Sequence, residues 1–249
     1  MHKRILYILN IAAWMAVVLY TITAIFLHVG LDEDLYFKLQ MRENVPETAG
    51  ISEADLQKLD NHLARCLKGS YFWNEEDGGA PLAVTVHGVK QPAFNDREII
   101  HMQDCQRLFD TLRSANWALL TGWFLLQILS SVYSWLCEIK DAVQWTPKQL
   151  WIGSGIILVP LAVFALWAAI DFSSAFTFFH KLLFTNDLWL LDPRTDLLIN
   201  ICPSSMFAGM GLRIALYSAG ILLGVPLLAS LLNRIFDKRK KEQNERSHL

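Results

Sequence analysis

Charge is scarce in this chain. Of 249 residues only 18% are Asp, Glu, Lys or Arg, and the formal net charge is −2. That balance excludes a generally basic, nucleic-acid-seeking surface, and no basic stripe lies along a polar helix, so no nucleic-acid partner is expected. Cysteine is limited to Cys66, Cys105, Cys137 and Cys202. None is spaced as C-x-x-C, so neither a zinc ribbon nor a dithiol redox motif is supported. No H-x-x-x-H or similar short chelate occurs among the seven histidines, and no metal is expected. Internal repeats and low-complexity stretches are absent as well. What the chain has in quantity is apolar surface: 53% hydrophobic residues, nine Trp and a mean hydropathy of +0.28.

That apolar content is concentrated in four segments, each long enough for the roughly 20 helical residues that cross about 30 Å of hydrocarbon. They run over residues 5–27, 115–136, 150–170 and 207–232. The first is too long for a signal-peptide core and has no A-x-A-like site before His28, so it reads as a retained anchor. Lys3 and Arg4 precede the first span, and Lys140 and Lys148 separate the second from the third. Arg234 and Lys238-Arg239-Lys240-Lys241 follow the fourth. Basic residues in short flanks mark the cytoplasmic side, so both termini and the 137–149 loop are expected there, in a multi-pass protein of the cell membrane. Trp135, Trp145 and Trp151 would mark the inner interface, Trp117 and Trp189 the outer one.

Two connections are then extracytoplasmic, over residues 28–114 and 171–206. In the first, Ser52-Glu53-Ala54-Asp55 has the form of a helix N-cap with an acidic residue three on. Leu56, Leu59, Leu63 and Leu67 come next at helical spacing and Gly69 is a stop, which predicts a helix over about 53–68. Gly78-Gly79 and Pro81 interrupt the chain beyond that helix, and 82–86 reads as a strand. From Arg97 the pattern turns helical again and runs into the second span. The fold class expected is an all-α membrane protein, four transmembrane helices with a small mixed α/β extracytoplasmic cap between the first and second spans. The 171–206 segment is aromatic for a loop, with Phe172, Phe176, Phe178, Phe179, Phe184 and Trp189. Loops over a protein surface are ordinarily polar, so this one is expected to dip into the interface. The tail after Asp237 reads as disordered, and Gly220-Ile221-Leu222-Leu223-Gly224 reads as a helix-packing G-x-x-x-G beside Pro226.

Two histidines stand out by position. His101 precedes the second span and His180 follows the third, so both belong at the outer surface at similar depth. An imidazole there exchanges protons near neutral pH. Asp104, Asn186, Asp187 and Asp192 flank them. Cys105, four residues after His101, shares a helical face with it, which leaves a Cys–His acyl-transfer pair or a metal site with His180 and Asp104 open beside plain structural roles. A disulfide is open to Cys66 and Cys105 on an oxidising side. Arg213, early in the fourth span, is costly inside a bilayer unless it snorkels, pairs with Asp171 or Asp196, or holds a lipid phosphate.

The stretch Glu98-Ile99-Ile100-His101-Met102-Gln103-Asp104 with Leu108-Phe109, and the stretch Phe179-His180-Lys181-Leu182-Leu183-Phe184-Thr185-Asn186-Asp187-Leu188-Trp189, resemble two signatures of the bacterial lipoprotein intramolecular transacylase family. The second continues through Asp192-Pro193-Arg194-Thr195-Asp196 to Pro203 and Phe207, and the helix ending Cys66-Leu67-Lys68-Gly69 resembles the family's cap helix. The resemblance covers nearly the whole chain. It implies four spans with an extracellular cap, and a cofactor-free reaction on a diacylglyceryl-modified N-terminal cysteine. There the sn-2 acyl chain moves to the α-amino group, giving a lyso-form lipoprotein without a covalent enzyme intermediate. It also implies a lipidated lipoprotein and membrane phospholipid as partners, and His101 and His180 as the catalytic pair. Asp104 and Asp192 are then candidates for fixing an imidazole tautomer, and Tyr20, Asn186, Trp189 and Arg213 for substrate binding. Cys105 departs from the aliphatic residue the pattern leads one to expect, and the cap has its own Tyr71-Phe72-Trp73 and Glu75-Glu76-Asp77.

Proximity fits this chemistry, since an amine and ester held together can gain about 7–11 kcal/mol in barrier. On sequence grounds His101 is assigned as base and His180 as oxyanion stabiliser or acid, a pairing that is reversible. The competing reading is a non-enzymatic accessory or lipid-sensing protein, with the histidines apart or on ordinary carbonyl partners. A transporter is disfavoured by the lack of discontinuous repeated helices.

Overall fold

The structure is a computed structural model that describes residues 2–69, 73, 75, 82–139 and 145–247. Lys140, and of the cap's aromatic and acidic stretches Tyr71, Phe72, Glu76 and Asp77, lie outside the described residues, as do Gly78, Gly79 and Pro81. The chain forms two compact units. One, the helical unit, comprises Met1–Ile25, Ala115–Val163 and Ala215–Leu249; the other, the mixed unit, comprises Phe26–Ser114 and Phe164–Ile214.

Among the described residues four helices are long and apolar enough to cross a membrane: α1 (His2–Gly30), α5 (Asp96–Leu136), α6 (Pro147–Ile170) and α9 (Ser204–Ser247). Each contains one of the expected spans. In the helical unit, Trp14 and Val18 of α1 pack with Leu150 and Ile157 of α6 and Leu222 of α9. Inside this apolar layer, where no water is at hand, some polar groups pair with one another, while Tyr7 Oη, Trp123 Nε1 and Ser218 Oγ are buried without a partner among the described residues. Trp14 Nε1 donates to Ser154 Oγ at 3.1 Å, and Ser130 Oγ to Asn10 Oδ1 at 3.2 Å. Outward faces stay apolar, with Phe124, Leu125, Ile128 and Leu129 of α5 exposed as a bilayer requires.

The G-x-x-x-G expectation is corrected. A Cβ at Gly220 or Gly224 meets no atom within 4 Å, so this pair sits on an open helix face. The close approach falls instead at Gly153, where a Cβ would lie 2.6 Å from Trp14 Cδ1. Trp145 also packs inward, edge-on to Trp14 at 5.6 Å. The tail is corrected too: α9 continues to Ser247. Its Lys, Arg, Glu and Gln are good helix formers, and Lys238 pairs with Glu242 one turn on at 3.9 Å.

The mixed unit opens with α2 (Glu33–Arg42), capped by Asp32, whose carboxylate accepts from Leu35 N at 3.0 Å. A short α3 (Val45–Ala49) comes next, then α4 (Glu53–Leu67). As the sequence predicts, Ser52 Oγ caps α4 by accepting from Asp55 N at 3.0 Å, and Gly69 lies beyond its end in the left-handed region at φ +85°. Strand β1 (Ala83–Val86) pairs antiparallel with β2 (Val89–Pro92). Their two-residue turn, His87-Gly88, has φ of +48° and +82°, the left-handed pair that matches the twist of a tight hairpin. Leu56, Leu59 and Leu63 of α4 pack with Val84, Phe94, Ile99 and Met102. Ile201 of α8 (Leu197–Ile201) closes this core.

The segment read as an aromatic loop is largely helix: α7 spans Phe172–Leu183. Asp171 caps it, accepting from Ser174 N at 3.0 Å. Its aromatic residues then recur at helical spacing, Phe172 stacking on Phe176 at 5.5 Å. Ser173, Ser174, Thr177 and Lys181 interrupt the aromatics at helical spacing, so the period was present in the sequence and the aromatic content obscured it.

One buried acid has a stability consequence. Asp60 on α4 is 1% exposed; its Oδ1 accepts from Gln40 Nε2 at 2.9 Å, while Oδ2 has no partner among the described residues. Burial pushes this carboxyl up to about 7, against which the Gln40 bond acts only in part. With the folded value above the unfolded one, the stabilisation from neutral Asp60 is full below about pH 4. It is lost as pH rises through about 7. Thermal unfolding between pH 5 and 8 should show the midpoint falling with pH. Asp60→Asn should flatten that slope; an unchanged slope contradicts the assignment.

Candidate active site

The site is assembled within the mixed unit by the start of α5 and the end of α7. The stretch Asp96–Arg113 carries Arg97, Glu98, Asp104, Arg107 and Asp110 and so lies outside the apolar span of α5. It begins with a reciprocal cap: Asn95 Oδ1 accepts from Glu98 N at 3.1 Å, and Glu98 Oε2 accepts from Asn95 N at 2.7 Å. Glu98 Oε1 also accepts from Leu198 N at 2.6 Å, with the residue 1% exposed. Asn95 Nδ2 donates to Asp196 Oδ1 at 2.8 Å, and Asp192 N to Asp196 Oδ2 at 2.7 Å. Further along, Arg97 donates to the Asp187 carbonyl at 2.5 Å, and Asn186 Nδ2 to Asp104 Oδ2 at 2.8 Å. The connection after α7 is thereby laced onto the first turns of α5.

These ties set His101 beside His180. Their ring centroids are 6.1 Å apart and each residue is 8% exposed. Phe184 meets His101 edge-on at 5.2 Å. Around His180 stand Phe176 at 4.2 Å, Trp189 at 4.9 Å and Phe184 at 5.7 Å. His180 Nδ1 is 2.7 Å from the Phe176 carbonyl. A carbonyl only accepts, so Nδ1 carries the hydrogen and the neutral ring keeps its lone pair on Nε2. His101 differs: Nδ1 has no partner among the described residues, and Nε2 lies 3.7 Å from Cys105 Sγ.

Both rings are held neutral at pH 7. Burial pushes His101 down to about 4, the neighbouring His180 lowers it further, and Asp104 opposes them. His180 is lowered chiefly by burial, with the Phe176 bond opposing.

The other candidates divide. Asn186 and Trp189 are at the site, Trp189 against the His180 ring. Asp104 is engaged by Asn186 and Arg107, and no hydrogen bond joins it to an imidazole. Asp192 lies against Arg194, which accounts for its lowered pKa, and not against either histidine. Tyr20 belongs to the helical unit. Arg213 makes no ion pair among the described residues. The two partners expected for it are occupied, Asp171 by Ser174 N and Asp196 by Asn95, Thr195 and Asp192 N. No disulfide forms: Cys66 Sγ contacts His62 Nε2 at 3.4 Å and Cys105 contacts His101. Among the described residues no three His, Cys, Asp or Glu side chains gather as metal ligands.

Residues that sequence reading missed are the fixing ones: Glu98, Asn95, Asp196 and the Phe176 carbonyl. The Asn95-x-x-Glu98 spacing was a visible capping signal; the contact to Leu198 had none.

The family model of the lipoprotein intramolecular transacylase Lit matches residues 8–207. The fold resembles the solved membrane integral lipoprotein intramolecular transacylase Lit from Bacillus cereus, at 22% identity and a TM-score of 0.68, covering 96% of this chain and 98% of that one. A second structure of the Bacillus cereus protein, bearing a histidine-to-arginine substitution, matches at 22% identity and a TM-score of 0.62, covering 97% and 94%. No curated protein sequence matches the chain. The match over residues 8–207 places this multi-pass membrane protein in the Lit family of lipoprotein intramolecular transacylases.

Proposed function

We propose that the protein moves the sn-2 acyl chain of a diacylglyceryl-cysteine lipoprotein to that lipoprotein's own α-amino group. The observation that carries this is the pair of desolvated, neutral imidazoles 6.1 Å apart; a carbonyl partner for His180 alone fits the lipid-sensing reading as well, whereas the second ring beside it does not. The amine is the nucleophile, so the protein has to supply proton transfer, a hydrogen bond to developing oxyanion charge, and enclosure.

The tautomer favours the reverse of the role assignment made from sequence. His180 Nε2 takes the proton as the amine nitrogen bonds to the acyl carbon. The same Nε2 returns it to the glyceryl oxygen as the ester C–O bond breaks. The products are an amide and a free sn-2 hydroxyl, and His180 ends neutral. Neutral His101 is a poor acid but a good dipole, and an unpaired ring N–H suits the oxyanion. Phe178 and Leu182 of α7 and Leu190 beyond it are exposed apolar residues on the His180-bearing segment, suited to acyl chains or phospholipid. Asn186 and Trp189 border the substrate, and Arg213 is available to an anionic lipid group. With both termini cytoplasmic, as the basic flanks argue, the reaction takes place at the outer membrane surface, where mature lipoproteins reside.

The test is expression in a host that makes only diacyl lipoproteins, followed by mass spectrometry of lipoprotein N-termini. N-acyl, monoacylglyceryl peptides are expected with the wild-type chain. Their absence at normal protein levels defeats the reading and leaves the lipid-sensing one.

A further inference from the structure

Cys105 is the one polar side chain in contact with His101 Nε2 among the described residues, and the contact is between neighbours on successive turns of α5. Two arrangements satisfy the 3.7 Å separation. Either the thiol donates to Nε2, leaving the hydrogen on Nδ1, or Nε2–H points at sulfur, leaving Nδ1 bare. Sulfur is a weak acceptor and the imidazole lone pair a strong one. The thiol also keeps its proton, since burial pushes it up to about 12 and Asp104 acts in the same direction. A protonated thiol beside a neutral imidazole is best used as the donor. That puts a hydrogen on His101 Nδ1, the buried atom that no protein group satisfies among the described residues. A buried N–H without an acceptor is costly, and it is explained if its acceptor arrives with the substrate.

We propose, resting on the transacylase reading, that Cys105 is a positioning residue whose thiol donates to His101 Nε2 and so fixes the tautomer that offers Nδ1–H to the acyl carbonyl oxygen. The two histidines then share one tautomer and do opposite work. His180 spends its Nδ1–H on the Phe176 carbonyl and presents a bare Nε2, while His101 has its Nε2 occupied and presents Nδ1–H. Cys105 forms no bond to the acyl group. A residue that departs from the aliphatic expectation at this position is thereby given a role that an aliphatic side chain cannot fill.

The charged and titratable groups facing His101 are His180 from α7 and, from α5 itself, Cys105 and Asp104, the last neutralised by Arg107 and bonded by Asn186 from the connection after α7. None of these changes in a Cys105 variant except the thiol. A hydrogen bond donated to the neutral ring favours the neutral form, so its loss raises the pKa of the His101 ring itself.

The experiment uses the full-length chain in proteoliposomes with a synthetic diacylglyceryl lipopeptide, and compares Cys105→Val with Cys105→Ser. Valine fills the space without a donor; serine restores one. Cys105→Val is expected to lose about tenfold in kcat with KM little changed, and its His101 ring to titrate at higher pH than in the wild type. Cys105→Ser should recover most of the rate. Cys105→Ala replaces the valine variant in the same assay if that variant does not accumulate. Valine and serine variants with wild-type rates and a wild-type His101 titration overturn the proposal, as does a hydroxylamine-labile acyl group trapped on Cys105. Nitrogen-15 spectra of labelled histidine separate this proposal from the reading beneath it. His101 should be protonated on Nδ1 in the wild type and lose that preference in Cys105→Val, whether or not product forms. A wild-type ring protonated on Nε2 contradicts the proposal even in an active enzyme.

Discussion

Substituting His180 with asparagine should abolish N-acylated product, a loss of about 10²–10⁴-fold, the usual contribution of a positioned acid or base. Asparagine is the informative choice. Its side-chain NH2 overlays ring Nδ1 and preserves the bond to the Phe176 carbonyl that holds His180 at 2.7 Å, yet it presents nothing in place of Nε2. The variant should therefore fold, bind substrate and fail at proton transfer. Glutamine, which overlays Nε2 but drops the carbonyl bond, should fail as well. Retained activity in His180→Asn would show that the ring serves only to pack against Phe176 and Trp189. The wild-type rate should be lost as pH falls, because both rings work neutral. Burial lowers both pKa values, so the acid limb should lie below the ordinary histidine range near 6.5. A limb above about 6.5 would mean a solvated site.

Glu98→Ala should be the most damaging change among residues that touch neither histidine. The carboxylate is buried and accepts from two backbone N–H groups, Asn95 N at 2.7 Å and Leu198 N at 2.6 Å. Truncation leaves both donors without a partner at about 1–3 kcal/mol each, and removes the link between the start of α5 and α8. The unfolding midpoint in detergent should fall by several degrees. Product should fall with it, because His101 is one turn further along the helix that Glu98 anchors. Glu98→Gln keeps one acceptor and should lie between. Desolvation already holds the Glu98 pKa above the usual range, so the neutral glutamine carries no new burial cost. A Glu98→Ala protein with wild-type stability would contradict the bonding described here.

Sequence patterning revealed the parts of the fold that a solvent dictates directly. The four spans follow from hydrocarbon thickness, α4 from its Ser52 cap and its leucine spacing, and the special position of His101 and His180 from the two spans they flank. Parts that depend on tertiary partners were hidden. Strand β2 carries Val89, Lys90, Gln91 and Pro92, all exposed, so no alternation marks it; it exists because β1 and the His87-Gly88 turn place it. Helix α7 is capped by Asp171, but its aromatic run looked like a loop immersed in lipid. Asp192 was chosen because the second signature continues through it, whereas geometry gives its carboxylate to Arg194. The tautomer of His180 was beyond reach because it rests on a main-chain carbonyl, which no residue identity encodes.

The central claim is transfer within one substrate molecule. The direct measurement mixes two diacylglyceryl lipopeptides with the purified protein, one with an isotopically heavy sn-2 acyl chain on a light peptide, the other with the labels exchanged, and reads the N-acyl peptides by mass spectrometry. Intramolecular transfer predicts heavy acyl only on light peptide and light acyl only on heavy peptide. Crossed products, or no N-acyl peptide from active membranes, would contradict it.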